Sequence, residues 1–269
     1  MGRIGRSFQL VQQSYRILMQ DKELMILPLI SGVIIVGVAA SFFFFSGINL
    51  DRAHQNDPRT IVPTFLLYVA TYFIGIFFQA AVIAGATERM RGGDPTVVSA
   101  LNAAGKRVVP ILMWAIVAAT VGVILRAIQN RLGFLGKIVV AFVGAAWSLA
   151  TFFVVPVLVL EERSVGESFT QSLGTFKKAW GETMVGGVSL GAAAMVAWVT
   201  LIAITGLLAW AGAGVFAIAV FVAGAITLVV FFSALQGVYV ASLYRYATDG
   251  QSASGFDASL LSQAFVPKK

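Results

Sequence analysis

The sequence predicts an all-α polytopic membrane bundle of about six transmembrane helices, and three observations predict it. Hydrophobic residues make up 58% of the 269 residues and charged residues only 12%, against roughly 25% charged in an ordinary soluble domain. The apolar residues come in runs long enough to cross about 30 Å of hydrocarbon at roughly 1.5 Å per residue. All 12 Asp and Glu residues lie outside those runs, in connections or at helix ends.

The runs are approximately 24 to 48, 61 to 86, 108 to 128, 138 to 160, 183 to 210 and 214 to 244. The first is too long for the apolar core of a cleaved signal and is expected to stay as a span. The last two are joined at Ala211-Gly212-Ala213-Gly214, a turn that makes them a hairpin, and Gly92-Gly93 reads as another turn. With the N-terminus on the inner side, 14 Lys and Arg residues share that side and five (Arg52, Arg59, Arg126, Arg131 and Lys137) face the other. This bias predicts that both termini are cytoplasmic. The connection between the third and fourth spans is the exception, with three positive charges and no acid.

Three further segments, 3 to 20, 95 to 108 and 164 to 180, carry apolar residues at helical spacing and each precedes a pair of spans. Asp94-Pro95 is expected to open the second, and Ser164 with Glu167 has capping-box spacing at the start of the third. These helices are predicted to lie near the membrane plane. In the third, Phe169, Phe176 and Trp180 share a face while Lys177 and Lys178 reach towards headgroups, an interfacial or partner-binding face. The same stripe is equally suited to packing against the bundle. A single membrane domain over 1–269 is expected, with the repeat 1–93, 94–163 and 164–250 and a cytoplasmic tail over 251–269. Ile4 pairs with Val165, Phe8 with Phe169 and Tyr15 with Phe176 under the implied shift.

Little in the sequence suggests chemistry. Cysteine is absent, which excludes disulfides and thiolate nucleophiles. His54 stands in a connection with Asp51 and Asp57, too sparse a set for a metal site. Glu161, Glu162 and Glu182 are the acids that a lipid-directed enzyme would use, but no nucleophile or phosphate-cradling loop accompanies them. No catalytic residue, cofactor or metal is therefore expected. The net charge of +7 comes without a dense basic stripe, so membrane lipid rather than nucleic acid is the expected partner. Arg126 lies near a span end and is expected to snorkel. Gln79 and Gln236 are the amides within spans and are expected to turn into the bundle and pair there, or else to line a path. Small residues four apart, such as Ala81 and Gly85 or Ala118 and Gly122, let helices approach closely.

The run Trp147 to Pro156 and on to Glu161, the segment Ser168 to Trp180-Gly181-Glu182, and the tail Tyr244-Arg245-Tyr246-Ala247 resemble an uncharacterised family of six-span prokaryotic membrane proteins, a domain of unknown function. Its plan is similar to the membrane domain of glycerophosphodiester phosphodiesterases, whose catalytic domain has no counterpart here. The resemblance implies a multi-pass protein of the prokaryotic inner membrane and supplies no activity. The function expected is a non-catalytic scaffold, partner-binding or lipid-interacting component, with an unidentified protein partner or a homo-oligomer. The alternatives are a channel or uncoupled transporter, and after it a membrane enzyme acting on lipids.

Overall fold

The computed structural model describes residue 12 and residues 14–45, 58–178 and 180–249. Every element among these residues is helical. They are α1 (14–20), α2 (Ile26–Phe45, led by a 3-10 turn at Lys22–Met25), α3 (Pro58–Met90), α4 (Val97–Gly105), α5 (Val108–Ala150), α6 (Val154–Leu160), α7 (Val165–Lys178), α8 (Trp180–Trp210) and α9 (Gly214–Asp249). Six segments are long and apolar enough to cross a membrane: Lys22–Phe45, Ile61–Met90, Val108–Leu132, Leu135–Leu160, Gly187–Trp210 and Gly214–Arg245. The chain is an all-α helical bundle of membrane-protein type.

The third and fourth spans were expected to be separated by a loop, yet helical backbone runs through all 43 residues of α5. A straight helix would hold Trp114 and Trp147 about 50 Å apart, whereas their rings stack with centroids 5.8 Å apart. The chain therefore folds back within α5, and Gly136 shows where. A Cβ there would stand 3.0 Å from the carbonyl oxygens of Ile128 and Gln129 and 2.9 Å from the Cβ of Leu132. Any side chain at this position would require these neighbours, two of them backbone atoms, to shift.

The two predicted glycine turns are present and share one geometry. Gly92 and Gly212 have φ of +87° and +85°. At the end of α3, Gly93 N–H donates to Glu88 O (3.0 Å) and Gly92 N–H to Arg89 O (2.9 Å). At the end of α8, Ala213 N–H donates to Leu208 O (3.0 Å) and Gly212 N–H to Ala209 O (3.1 Å). Both are Schellman caps, which satisfy the last carbonyls and need a left-handed residue.

The chain forms two compact units, Met1–Leu29 with Val82–Ala100 and Lys177–Lys269, and Ile30–Ala81 with Leu101–Phe176. Each draws on distant parts of the sequence. In the first unit, glycines set the helix approaches: a Cβ on Gly237 of α9 would fall 2.5 Å from Val82 of α3, and one on Gly85 would fall 2.6 Å from Leu24. Leu24, Ile83, Val238 and Tyr239 are buried around these contacts. In the second unit, Ile111, Phe153, Val154, Val157 and Leu158 are fully enclosed, and Gly122 lets the Tyr72 hydroxyl come within 3.2 Å of where a Cβ would sit.

Replacing Gly136 by Ala is predicted to destabilise the purified protein by about 1–3 kcal/mol in denaturant-induced unfolding. Gly187→Ala, where nothing lies within 4 Å of the added Cβ, is predicted not to lower stability.

Candidate functional site

The second unit contains a helix break filled by a side chain. Proline has no N–H and its ring clashes with the carbonyl four residues back; Pro156 therefore interrupts the fourth span, and α6 restarts at Val154 with Pro156 in its first turn. The interruption exposes the carbonyl of Ala150 and the N–H of Phe153. Ser172 of α7 answers both, its hydroxyl donating to Ala150 O (2.7 Å) and accepting from Phe153 N–H (3.1 Å). Thr151 caps the same end by donating to Trp147 O (2.8 Å).

The other end of α6 is held by a cation. Arg107 donates from Nε to Leu158 O (2.9 Å) and from Nη2 to Arg163 O (2.6 Å), placing positive charge where helix carbonyls are unpaired. Glu161 accepts from Arg163 (2.8 Å) and from the Gln171 amide, and Glu162 takes the left-handed turn with φ of 54°. The expected capping box is present at α7: Ser164 N–H donates to the Glu167 carboxylate (3.0 Å), and Glu167 N–H donates to the Ser164 hydroxyl (3.4 Å). The Ser164 hydroxyl, ahead of its N–H, holds the Glu167 carboxyl below its usual range.

A second polar group lies in the first unit at the end of α3. Arg89 makes a two-pronged ion pair with the nearly buried Asp21 and also reaches Asp94 (3.1 Å). Asp94 was expected to cap the following helix; that role belongs instead to Thr96, whose hydroxyl accepts from Ser99 N–H (3.0 Å) while Thr96 N–H donates to Ser99 Oγ (3.0 Å). The correction is geometric, since α4 starts at Val97 and not before. Ser99 also donates to Glu88 (3.0 Å).

The residues singled out from sequence are dispersed. Phe169 stacks on Trp147 at 5.9 Å, continuing the Trp114–Trp147 stack, and Phe176 is buried. The aromatic stripe of α7 thus packs inward, together with the buried hydroxyl residues Ser168, Ser172 and Thr175, while Lys177 is exposed. The side chains of Lys178, Trp180 and Glu182 lie outside the described residues, as do His54, Asp51 and Asp57. Gln79 is half-buried. Gln236 is exposed, against the expectation that it turns inward; its neighbours Leu235, Gly237 and Val238 take the packed face of α9, with Gly237 fixed against Val82. No hydrogen bond joins either amide to another described residue. Tyr244 and Arg245 of the tail segment are buried.

Between α2 and α3, within the second unit, lies an apolar groove of about 610 Å³. Ile34, Gly37, Val38, Ser41 and Phe42 line it from α2, and Pro63, Leu66, Leu67 and Ala70 from α3, both sets at helical spacing. Ser41 is the one polar residue among them. The absent side chain of Gly37 helps to open it, since nothing lies within 4 Å of a Cβ there. Sequence reasoning missed the groove because it depends on which faces of two helices oppose each other. Ser172 was missed as well, although the break it fills is signalled by Pro156.

Residues 59–256 match a family described as a family of unknown function, DUF6159. No curated protein and no solved structure matches the chain.

Losing the Ser172 hydroxyl takes away a buried acceptor from Phe153 N–H and a buried donor from Ala150 O. Ser172→Ala is predicted to cost about 1–3 kcal/mol in unfolding free energy, read from denaturant titration.

Proposed function

The chain belongs to this family of unknown function, and from that premise we propose that it is a non-catalytic multi-pass protein of the prokaryotic inner membrane that acts by binding lipid and organising partners around it. The groove between α2 and α3 carries this reading. Its wall is hydrocarbon contributed by two spans, and ligand sites of this size with so little polar lining suit an alkyl chain rather than a polar solute. The polar residues support the same view, because those placed near α6 and at the end of α3 are committed to backbone caps and ion pairs.

A transport path is the less favoured alternative. Thr71, Thr120, Thr200, Thr205 and Thr227 each donate to the carbonyl four residues back in their own helix, at 2.7 to 2.9 Å. Hydroxyls engaged in this way satisfy themselves within lipid.

The proposal is tested by filling the groove. Gly37→Phe is expected to remove a phospholipid that the wild-type protein retains through detergent purification, counted by native mass spectrometry, with the protein still monodisperse. Unchanged lipid stoichiometry would refute the groove as the lipid site. Both termini are proposed to be cytoplasmic from the Lys and Arg distribution. A single cysteine at Ser252, in a chain with none of its own, should resist an impermeant maleimide in intact cells and react after permeabilisation.

A further inference from the structure

We infer that Arg126 and Tyr68 form a binding site for the phosphate of an anionic phospholipid, on the side of the membrane opposite the termini. This deepens the lipid-binding proposal by naming the lipid class, at a place separate from the groove. Tyr68 stands about 150° around α3 from the middle of the groove face, at roughly 100° per residue.

The site begins with a charge in an unusual place. Arg126 falls inside the candidate span Val108–Leu132, about 9 Å before its end at 1.5 Å per residue, and a cation at that depth is costly unless it finds a counter-charge or the interface. Its Nη1 donates to the hydroxyl of Tyr68, and both side chains remain accessible at the surface. Among the described residues no carboxylate pairs with Arg126, Arg131 or Lys137. The sequence contributes no Asp or Glu between Arg107 and Glu161. A compensating negative charge would come from outside this helical hairpin, and the acids that the sequence offers on that side, Asp51 and Asp57, have Arg52 and Arg59 close by in sequence.

The donor set identifies it. Once one guanidinium N–H is given to Tyr68, the remaining N–H groups have no acceptor among the described residues, and the phenol proton is free to donate because its oxygen is the acceptor. An Arg fork beside a hydroxyl donor fits a group with several adjacent acceptor oxygens, which a phosphodiester supplies. Arg131 and Lys137, at the turn and nearer to water, add the long-range attraction that favours a net-negative headgroup over a zwitterionic one. The Lys and Arg bias fails at this one connection, and a lipid bound there removes the anomaly.

The experiment is native mass spectrometry of the purified full chain titrated with phosphatidylglycerol or with phosphatidylcholine of the same acyl chains. The wild-type protein should bind phosphatidylglycerol at least about fivefold more tightly, the value expected from one or more basic side chains near a headgroup. Arg126→Gln should abolish that preference, Arg126→Lys should restore it in part, and Tyr68→Phe should weaken it while keeping the charge. Gly37→Phe should leave the preference intact while emptying the groove, which separates failure here from failure of the groove. If Arg126→Gln does not yield folded protein, Arg126→Lys and Tyr68→Phe decide: wild-type selectivity in both overturns the site. Selectivity unaltered in Arg126→Gln also overturns it and leaves Arg126 a snorkelling residue. Selectivity lost as completely in Lys137→Gln overturns it in favour of diffuse surface charge.

Discussion

Hydrocarbon offers no hydrogen bonds, so each backbone N–H and C=O at membrane depth must be satisfied by the protein itself. Long unbroken helices meet this requirement automatically, and most of this chain consists of them. Pro156 does not allow it, and much of the second unit is arranged around that single interruption. Ser172 bridges the two freed groups, Arg107 holds the carbonyls at the far end of α6, and α7 is positioned by providing the serine. The ring of Phe169 then comes to rest on Trp147. Of the two uses to which the aromatic stripe of α7 is suited, Phe169 and Phe176 follow contact with protein.

Glycine plays the complementary part. Where helices need close contact or the chain needs a sharp reversal, the side chain has been removed: Gly85 beneath Leu24, Gly237 beneath Val82 and Gly136 inside the α5 reversal. Helix association in lipid lacks a hydrophobic driving force and depends on such fit. Other glycines in equally suggestive small-residue patterns, Gly187 and Gly191, have open space at their Cβ positions. A small-residue stripe therefore marks opportunity for approach, and only the partner's position turns it into contact.

The bundle was legible because long apolar runs without acids admit few alternatives, and because Gly92 and Gly212 stand where helix ends need a left-handed residue. Span ends could be placed from composition, but the α5 reversal could not be distinguished from a loop, since Arg131 and Lys137 look the same in either. The capping box at Ser164 and Glu167 was visible because its partners are three residues apart. Ser172 with Ala150 and Arg89 with Asp21 were invisible because their partners are brought together only by the fold. Gln236 was misjudged for the same reason: a polar residue in a span was expected to face inward, but the direction was set by its neighbour Gly237.

Charge placement follows from the same economy of hydrogen bonds. At the end of α3, Arg89 sits between Asp21 and Asp94, so its charge is neutralised within the protein. Arg107 has no acid, yet its donors are occupied by carbonyls at a helix terminus, where the dipole provides the negative end. Arg126 differs from both. Among the described residues its one hydrogen-bond partner is a phenol that offers no charge, in a stretch of sequence without acids. With Arg89 and Arg107 answered within the protein and Arg126 meeting no acid among the described residues, the proposed phosphate site would give Arg126 its counter-charge, and a lipid bound there would become part of how the hairpin is held.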